Sequence, residues 1–446
     1  MAKSCKLYDV IVAGAGIAGS LFSAKLAGRG YKVLMIDKSS GQEDIQNRLD
    51  LVECQLLEIA GVELPSELDE VPPLSNAELG PSKSTYKFEL NDCAYRMIER
   101  NPFLRYLRKL ASENGAELIY GCKGVKPTVE SGFVTGLATT EGIFKSRITV
   151  DATGAERALL KTMPLGMGLP RRIPSSDFVT LYSQAWLSQS EDQDYGNSRG
   201  KVRYYLYGGG SFSRSIVEEN GKKIFEVEIG FRGLESHKKP PDMILDKTDY
   251  PSLEIGGTLF RSTGVVPTRR PLDSMVCNGF MVMGDSACQA MPVFSRGIGG
   301  ALIGANCAAE AASFALEVQD VSIDALWSYN YLFMKEIGAR LAALDTLKAF
   351  VGNLSDSHLE KAFKKGLIDK SFASAMLSGN FEARSFFKLA NCIIKNIADA
   401  AFSLKFDAAM RRAEGVYKHY IDYPKEYDPL TFKEWSHTAQ YIFKSL

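Results

Sequence analysis

The sequence predicts a mixed α/β protein whose first part is built on a parallel sheet. A short apolar run at residues 10–13 is followed by closely spaced glycines, an apolar helical pattern and a second apolar run at residues 32–36. That order is typical of a buried strand–helix–strand unit. Residues from about 170 to 262 form β-rich runs separated by turns, whereas residues 323–446 have helical periodicity. We therefore expect an antiparallel sheet and a helical C-terminal region after the parallel sheet.

The glycines after the first strand predict a dinucleotide site. Gly14, Gly16 and Gly19 have the spacing G-x-G-x-x-G, and Asp37 ends the second strand 18 residues after Gly19. In the Rossmann-like arrangement the first glycine allows a tight turn, the second lets the backbone approach a pyrophosphate, and the third lets the helix pack on the strand. The acid is placed to accept hydrogen bonds from ribose hydroxyls. Because all these parts occur in order, we predict a dinucleotide site rather than an unrelated glycine-rich turn.

The bulk composition excludes several classes of function. The 446 residues carry 53 Lys plus Arg and 53 Asp plus Glu, so the overall charge does not indicate a nucleic-acid partner. Eight scattered cysteines without a C-x-x-C pair suggest reduced thiols, and four scattered histidines suggest no metal site. We expect no signal peptide and no transmembrane segment. The expected location is the cytoplasm, with peripheral membrane contact left open.

Domain boundaries are predicted from changes in pattern. Residues 1–168 form the first part of the dinucleotide-binding domain, with 61–92 as an excursion towards the substrate domain. The antiparallel sheet at 169–262 is the predicted substrate domain, and Tyr204, Tyr205 and Tyr207 line a pocket there or are ordinary sheet aromatics. Residues 263–322 return to the first domain, and 323–446 form the helical domain. We also expect a helix at 49–60.

One predicted helix in the C-terminal region has a strongly basic face. Its apolar face includes Phe386 and Leu404, and its polar face carries cationic side chains. Such a helix either lies on a membrane surface or packs on its own protein, and we favour packing. The cationic residues are Lys388, Lys395, Lys405, Arg411 and Arg412.

Two further turns favour FAD over NAD. Asp151-Ala-Thr-Gly154 follows a short strand and permits close approach of a bound dinucleotide. Asp285 follows another strand and is placed to bond a ribityl hydroxyl. The helix that opens at residues 297–300 presents N–H groups and its positive dipole end to the electron-rich edge of a reduced flavin. Arg100, just before a helix that has Pro102 in its first turn, either reaches the cofactor or is a solvated surface residue.

Taken together, these motifs resemble those of the geranylgeranyl reductase family of FAD proteins, within the group that includes p-hydroxybenzoate hydroxylase. The resemblance is greatest to archaeal digeranylgeranylglycerophospholipid reductases and covers nearly the whole chain. Val266-Pro-Thr-Arg-Arg-Pro271 and the Leu326-Trp327 helix narrow it to this family. The resemblance implies reduction of isolated double bonds in isoprenoid chains. The cofactor-binding residues expected from the motifs and the resemblance are Gly14, Gly16, Ile17, Ala18, Gly19, Asp37, Lys38, Arg48, Arg100, Gly124, Gly154, Asp285, Gly297, Ile298 and Gly299.

Two family motifs are missing, which leaves the catalytic residue open. The usual Cys-Gly pair after the acid-tipped strand is replaced by Asn47-Arg48-Leu49-Asp50, and the nearest cysteine is Cys54. The Tyr-x-Trp-x-Phe-Pro strand is also absent, and residues 212–217 fall in its place. Arg48 and Cys54 are therefore candidates only. Because a guanidinium stays protonated, we expect Arg48 not to act as an acid but to stabilise negative charge on a reduced flavin or to hold an anionic head group. We expect Cys54 to be buried in a helix.

Three functions are compatible with these observations. The first is an FAD-dependent reductase of an isoprenoid lipid, with an external electron donor that is either a reduced nicotinamide or a redox protein. The second is an FAD-dependent monooxygenase of an aromatic or quinone-like compound. The third is a diverged, non-catalytic protein that binds FAD and lipid. We favour the first hypothesis, because it agrees with the family motifs.

Overall fold

The computed structural model describes residues 6–41, 49–65, 68, 77–81, 86–90, 95–188, 201–207, 210–219, 222–233, 255–370 and 400–444. Its strands, numbered in chain order, are β1 (Leu7–Ala13), β2 (Val33–Asp37), β3 (Leu49–Glu53), β4 (Ala77–Pro81), β5 (Phe88–Leu90), β6 (Tyr95–Glu99), β7 (Glu117–Tyr120), β8 (Gly124–Glu130), β9 (Phe133–Thr139), β10 (Gly142–Asp151), β11 (Phe178–Ser188), β12 (Lys201–Tyr207), β13 (Gly210–Glu219), β14 (Lys222–Arg232), β15 (Ile255–Pro267), β16 (Val276–Cys277) and β17 (Phe280–Val282).

The α-helices of the described residues are α1 (Ile17–Ala27), α2 (Cys54–Ala60), α3 (Arg100–Glu113), α4 (Ala158–Thr162), α5 (Ile298–Glu317), α6 (Ile323–Leu326), α7 (Ser328–Phe333), α8 (Ala339–Gly352), α9 (Asp356–Lys364), α10 (Ala400–Ile421) and α11 (Pro429–Lys444). This mixture confirms the predicted α/β class, with a parallel sheet and a helical C-terminal region. The predicted domain boundaries stay a prediction.

The first sheet contains the predicted parallel strands. Its order is β16-β17-β10-β1-β2-β7, and β17, β10, β1, β2 and β7 run parallel. Val10, Ile11 and Val12 of β1 are fully buried, because elements cover both faces of this central strand. From β1 the chain runs outward to β2 and later returns on the other side through β10. The carboxyl ends of β1 and β10 are therefore a switch point, where open α/β sheets bind ligands.

The second sheet is the predicted antiparallel one. Its order is β15-β11-β14-β13-β12-β4-β5, and β11, β13, β14 and β15 pair antiparallel. The aromatic rings of Trp186 and Phe225 stack across β11 and β14 with centroids 6.0 Å apart. Strands β4 and β5, from the predicted excursion at 61–92, join this sheet beside β12. The side chains of Tyr204, Tyr205 and Tyr207 lie outside the described residues.

The predicted helix at 49–60 is wrong in its first half. Residues Leu49–Glu53 form β3, which pairs antiparallel with β6, and only α2 is helical. The pairing partner lies more than 40 residues further along the chain, so no local pattern signals it. An extended strand therefore precedes Cys54, which is the first residue of α2 rather than a residue inside a longer helix.

The long apolar helix α5 is a core element. It is long and apolar enough to cross a membrane by length and composition alone, but 78% of its most apolar window is buried inside the protein. It packs on α1, α2 and α7. Its alanines and glycines allow these close approaches.

The basic helix is described only from residue 400 onward, as α10. This helix packs on α8 and buries Phe406, Met410 and Val416, which agrees with packing on its own protein. Leu404, predicted on the apolar face, is instead 67% exposed, because it lies on the side of α10 away from α8. The predicted Phe386, Ala390, Ile393, Ile394 and Ile397 face and Lys388 and Lys395 lie outside the described residues.

Candidate dinucleotide site

The three glycines after β1 are needed for different physical reasons. Gly14 has a φ of +108°, and a Cβ there would lie 2.2 Å from the carbonyl oxygen of Ala152. A Cβ on Gly19 would lie 2.1 Å from the carbonyl oxygen of Gly14. A Cβ on Gly16 would meet nothing within 4 Å, and this residue caps α1 in an extended conformation. Gly14 and Gly19 are therefore required by packing, whereas Gly16 faces open space.

The start of α1 leaves its backbone donors available to an anion. The cap residue Gly16 has no side chain, and no acidic residue lies in the first turn. The first N–H groups of a helix have no partner within the helix, and the dipole makes this end positive. The end of α1 beside Gly16 is thus suited to a phosphate group.

Asp37 is held in place at the end of β2. Its Oδ2 accepts a hydrogen bond from the N–H of Ala15 at 2.7 Å. Its Oδ1 accepts from the N–H and the hydroxyl of Ser39, at 2.8 and 2.7 Å. A carboxylate can accept about four hydrogen bonds, so capacity remains for a ligand hydroxyl.

A cavity of about 200 Å³ brings several of the predicted residues together. It lies at the carboxyl ends of β1, β2 and β10, as expected for the switch point. The predicted residues that line it are Gly14, Gly16, Asp37, Lys38, Gly124 and Gly154. Ala152 and Thr153, from the predicted Asp151-Ala-Thr-Gly154 turn, also line it, whereas sequence reasoning missed Ala13, Ile36, Cys122, Lys123, Glu156 and Ala158. Several of these are sequence neighbours of predicted residues, which is the signal that was available.

Charged side chains line one side of this cavity. Lys38 pairs with Glu156, and Lys123 lies 3.5 Å from the same carboxylate. The hydrogen bond from Lys38 lowers the pKa of Glu156, which keeps it ionised at neutral pH. The cavity is thus lined by two cationic side chains, Lys38 and Lys123, and two acidic ones, Asp37 and Glu156.

The two turns predicted to favour FAD are bonded to each other. The hydroxyl of Ser286 lies 3.0 Å from Oδ1 of Asp151 and 2.9 Å from the carbonyl oxygen of Gly154, and it shares its one hydrogen between these two acceptors. The buried Asp151 also accepts from the N–H groups of Leu159 and Leu160, at 3.1 and 2.9 Å. The turn after β10 and the turn after β17 therefore form one unit.

The residues of the return segment form a second group outside the 200 Å³ cavity. A Cβ on Gly297 would lie 3.2 Å from Oδ1 of Asp285, so this acid sits at the start of α5. A Cβ on Gly284 would lie 3.2 Å from the Cβ of Ala18, so the turn that carries Asp285 packs against the start of α1. Ile298 is the buried first residue of α5, and Ile17 is the partly buried first residue of α1.

Gly299 is placed differently from its neighbours. A Cβ there would lie 2.4 Å from Cδ1 of Leu56 and 3.1 Å from Oε2 of Glu53. This glycine is therefore required for the contact of α5 with α2, and the space beside it is filled by protein. Its assignment to the cofactor stays a prediction that would involve the backbone alone.

Arg100 is engaged by protein in this structure. It is the first residue of α3, and its guanidinium forms two hydrogen bonds with Asp50 on β3, at 2.6 and 3.0 Å. It is therefore not the solvated surface arginine of the alternative interpretation. This paired guanidinium does not line the 200 Å³ cavity.

Of the two candidate catalytic residues near the missing Cys-Gly pair, the structure describes only Cys54. Arg48 lies outside the described residues. Cys54 is half-buried, and burial raises the pKa of its thiol. A raised pKa keeps this thiol protonated at neutral pH, which makes it a poor nucleophile.

A buried ion pair beside Cys54 was missed by sequence reasoning. Glu53 ends β3, and its Oε1 lies 3.2 Å from Nη1 of Arg296, just before α5. The guanidinium stands over the ring of Tyr95 at 4.6 Å. Burial raises the pKa of Glu53, and the neighbouring arginine opposes that shift. Because the partners are 243 residues apart, only folding brings them together.

Comparison with known proteins places the chain in a structural class. A flavin-dependent brominase superposes with a TM-score of 0.64 at 19% identity, covering 91% of this chain and all of that one. A geranylgeranyl bacteriochlorophyll reductase-like protein from Thermoplasma acidophilum superposes with a TM-score of 0.71 at 20% identity, covering 90% of this chain and 99% of that one. The fold is therefore that of the flavin-dependent oxidoreductases and halogenases.

Sequence relatives are more specific. The digeranylgeranylglycerophospholipid reductase of Sulfolobus acidocaldarius is 27% identical over 96% of this chain and 95% of its own length. A reductase of the same name from Methanococcoides burtonii is 25% identical over 84% of this chain and 92% of its own. No family model matches the chain. The resemblance drawn from the motifs is confirmed, and the chain is an enzyme similar to these reductases.

Proposed function

We propose that this chain is an FAD-dependent oxidoreductase that reduces carbon–carbon double bonds in the isoprenoid chain of a lipid. The observation that carries the proposal is its similarity, over nearly its whole length, to reductases named for a digeranylgeranyl lipid. The candidate dinucleotide site at the ends of β1, β2 and β10 independently supports the FAD part of the proposal.

The chain's residues fit FAD. The backbone at Gly16 has open space around it, and the uncapped start of α1 offers N–H groups to a pyrophosphate. Asp37 is oriented by Ala15 and Ser39, with capacity left for a ribose hydroxyl. Asp285 beside Gly297 is placed to bind the ribityl side of the cofactor. The remaining residues assigned to FAD are Gly14, Ile17, Ala18, Gly19, Lys38, Arg48, Arg100, Gly124, Gly154, Ile298 and Gly299.

When bound and reduced, FAD supplies the hydride that an alkene reduction requires. An isolated alkene is a poor hydride acceptor, so the protein must exclude water and hold the reacting carbons in position. The ion pair of Glu53 with Arg296 anchors the end of β3, next to α2, to the segment just before α5. In this proposal the ion pair has a positioning role, because it holds the start of α5 against β3, the strand that precedes Cys54.

The electron donor is proposed to be external, as a reduced nicotinamide or a redox protein. The support is the sequence, which carries one dinucleotide fingerprint at residues 14–19 and none elsewhere. The proposed location is the cytoplasm, with peripheral membrane contact where the lipid is collected.

The test is anaerobic turnover. The purified chain should be yellow, and after reduction with dithionite it should add pairs of hydrogens to a digeranylgeranyl glycerophospholipid, seen by mass spectrometry.

Likeness in fold to a monooxygenase and to halogenases favours a second candidate, a monooxygenase of an aromatic compound. That candidate predicts substrate-dependent oxygen uptake and no anaerobic product. A protein that binds FAD and lipid but shows neither lipid reduction nor substrate-dependent oxygen uptake would be non-catalytic.

A further inference from the structure

A second cavity lies in the C-terminal helical region, away from the candidate dinucleotide site. It is a groove of about 520 Å³ between α8, the start of α9 and α10, which we call the α8–α10 groove. Alanines at positions 349, 408 and 409 create the space, because larger side chains there would fill it. Its volume lies within the range of about 300–1,000 Å³ that is usual for ligand sites. It shares no lining residue with the 200 Å³ cavity.

The walls of the α8–α10 groove are largely apolar and ordered by aromatic contacts. Phe350, Leu354 and Phe402 line it. The ring of His358 stacks on that of Phe402, with centroids 5.4 Å apart and planes inclined by 9°. The Nδ1 of this histidine lies 2.9 Å from the hydroxyl of Ser355, which holds the ring in place. Such a surface suits a hydrocarbon chain.

The charges at the α8–α10 groove are all of one sign. Lys405 and Arg412 both line it from α10, and seven residues, about two turns, separate them on one face. None of the lining residues is an aspartate or a glutamate. Within the described part of the chain, neither cation has an ion pair, although Lys418 on the same helix pairs with Glu414. The groove therefore complements an anion attached to an apolar chain.

We propose that the α8–α10 groove binds one molecule of an anionic single-chain lipid. The hydrocarbon lies along Phe350, Leu354 and Phe402, and the phosphate head is held by Lys405 and Arg412. Hydrogen bonds from these cations to a phosphate are charge-assisted and stronger than neutral ones. This site is additional to the proposed reaction and does not depend on it.

The experiment measures the affinity for the lipid and also locates where the lipid binds. Geranylgeranyl monophosphate is titrated into the full-length protein by calorimetry, and a photoreactive analogue of it is crosslinked and mapped by peptide mass spectrometry. The test variants are Lys405→Gln/Arg412→Gln, which removes both cations, and Ala408→Trp, which fills the groove from an exposed position. The matched control is Lys361→Gln/Lys433→Gln, which removes two exposed charges elsewhere on α9 and α11. Circular dichroism checks that each variant is folded.

The proposal expects crosslinks on α8 and α10, and at least about tenfold weaker binding in both test variants. The control should bind within about twofold of the parent. The proposal is overturned if no crosslink maps to α8 or α10, if the control loses as much affinity as the test variants, or if inorganic phosphate binds as tightly as the lipid. Binding of anionic vesicles without binding of the monomeric lipid would show instead that this face meets a membrane.

Discussion

The contrast between Gly16 and Gly19 allows the dinucleotide site to be tested separately from the fold. A Cβ on Gly19 would approach the carbonyl oxygen of Gly14 to 2.1 Å, where ordinary contact begins at 3.4 Å. The clash is with backbone, which cannot rotate away. Overpacking of this kind costs about 1–3 kcal/mol, so Gly19→Ala should lower the free energy of unfolding by that amount.

Gly16→Leu should weaken FAD binding without destabilising the fold. The backbone at this position is extended and suits any residue, and nothing lies within 4 Å of its Cβ. Its side chain would occupy the space proposed for the pyrophosphate, so we expect FAD affinity to fall at least about tenfold, or about 1.4 kcal/mol. The melting temperature of the FAD-free protein should stay close to that of the parent.

The assay has two readouts on the same samples. The flavin absorbance of the purified protein, after incubation with excess FAD and gel filtration, measures retained cofactor. Thermal unfolding of the FAD-free protein measures the fold. The reasoning would be refuted if Gly16→Leu kept a full complement of FAD, or if Gly19→Ala were as stable as the parent.

Three further results are expected. Burial lowers the pKa of His419, so its contribution to stability is present above the ordinary value of 6.5 and is lost as pH falls below it. His419→Gln should therefore flatten the fall in melting temperature between pH 7.5 and 5, whereas His437→Gln, at an exposed site, should not. Asp151→Ala should cost about 3 kcal/mol or more in urea unfolding, because several buried donors lose their acceptor. Arg48→Ala should keep the bound flavin but shift its reduction potential or the lipid affinity, while Cys54→Ala should change turnover little; loss of turnover in the cysteine variant with FAD still bound would contradict this assignment.

Part of the candidate site could be predicted because its residues are close in sequence. The turn after β1, the first turn of α1 and the acid that ends β2 lie within residues 14–37, and local geometry is enough to bring them together. Strands β11 to β14 of the antiparallel sheet were predictable for a similar reason, because each is a continuous β-rich run. Strands β4 and β15, which belong to the same sheet, were not predicted.

Other features depend on partners far away in the chain. Residues 49–53 are a strand only because β6 pairs with them, and the helical pattern that follows them gave the opposite prediction. The same holds for Arg100, whose guanidinium is directed by Asp50, and for Gly299, whose neighbour is Leu56 on α2. None of these contacts is visible in a window of ten or twenty residues.

The sequence by itself determined the parallel sheet, the antiparallel sheet, the helical end and the glycine turn of the candidate dinucleotide site, because each is encoded by local spacing and periodicity. The tertiary structure alone decided the pairing of Glu53 with Arg296 and the cluster of Lys38, Lys123 and Glu156. It also decided that α10 leaves a cationic groove against α8. These contacts depend on side chains from separate elements meeting at one place, and that is set by how the elements pack.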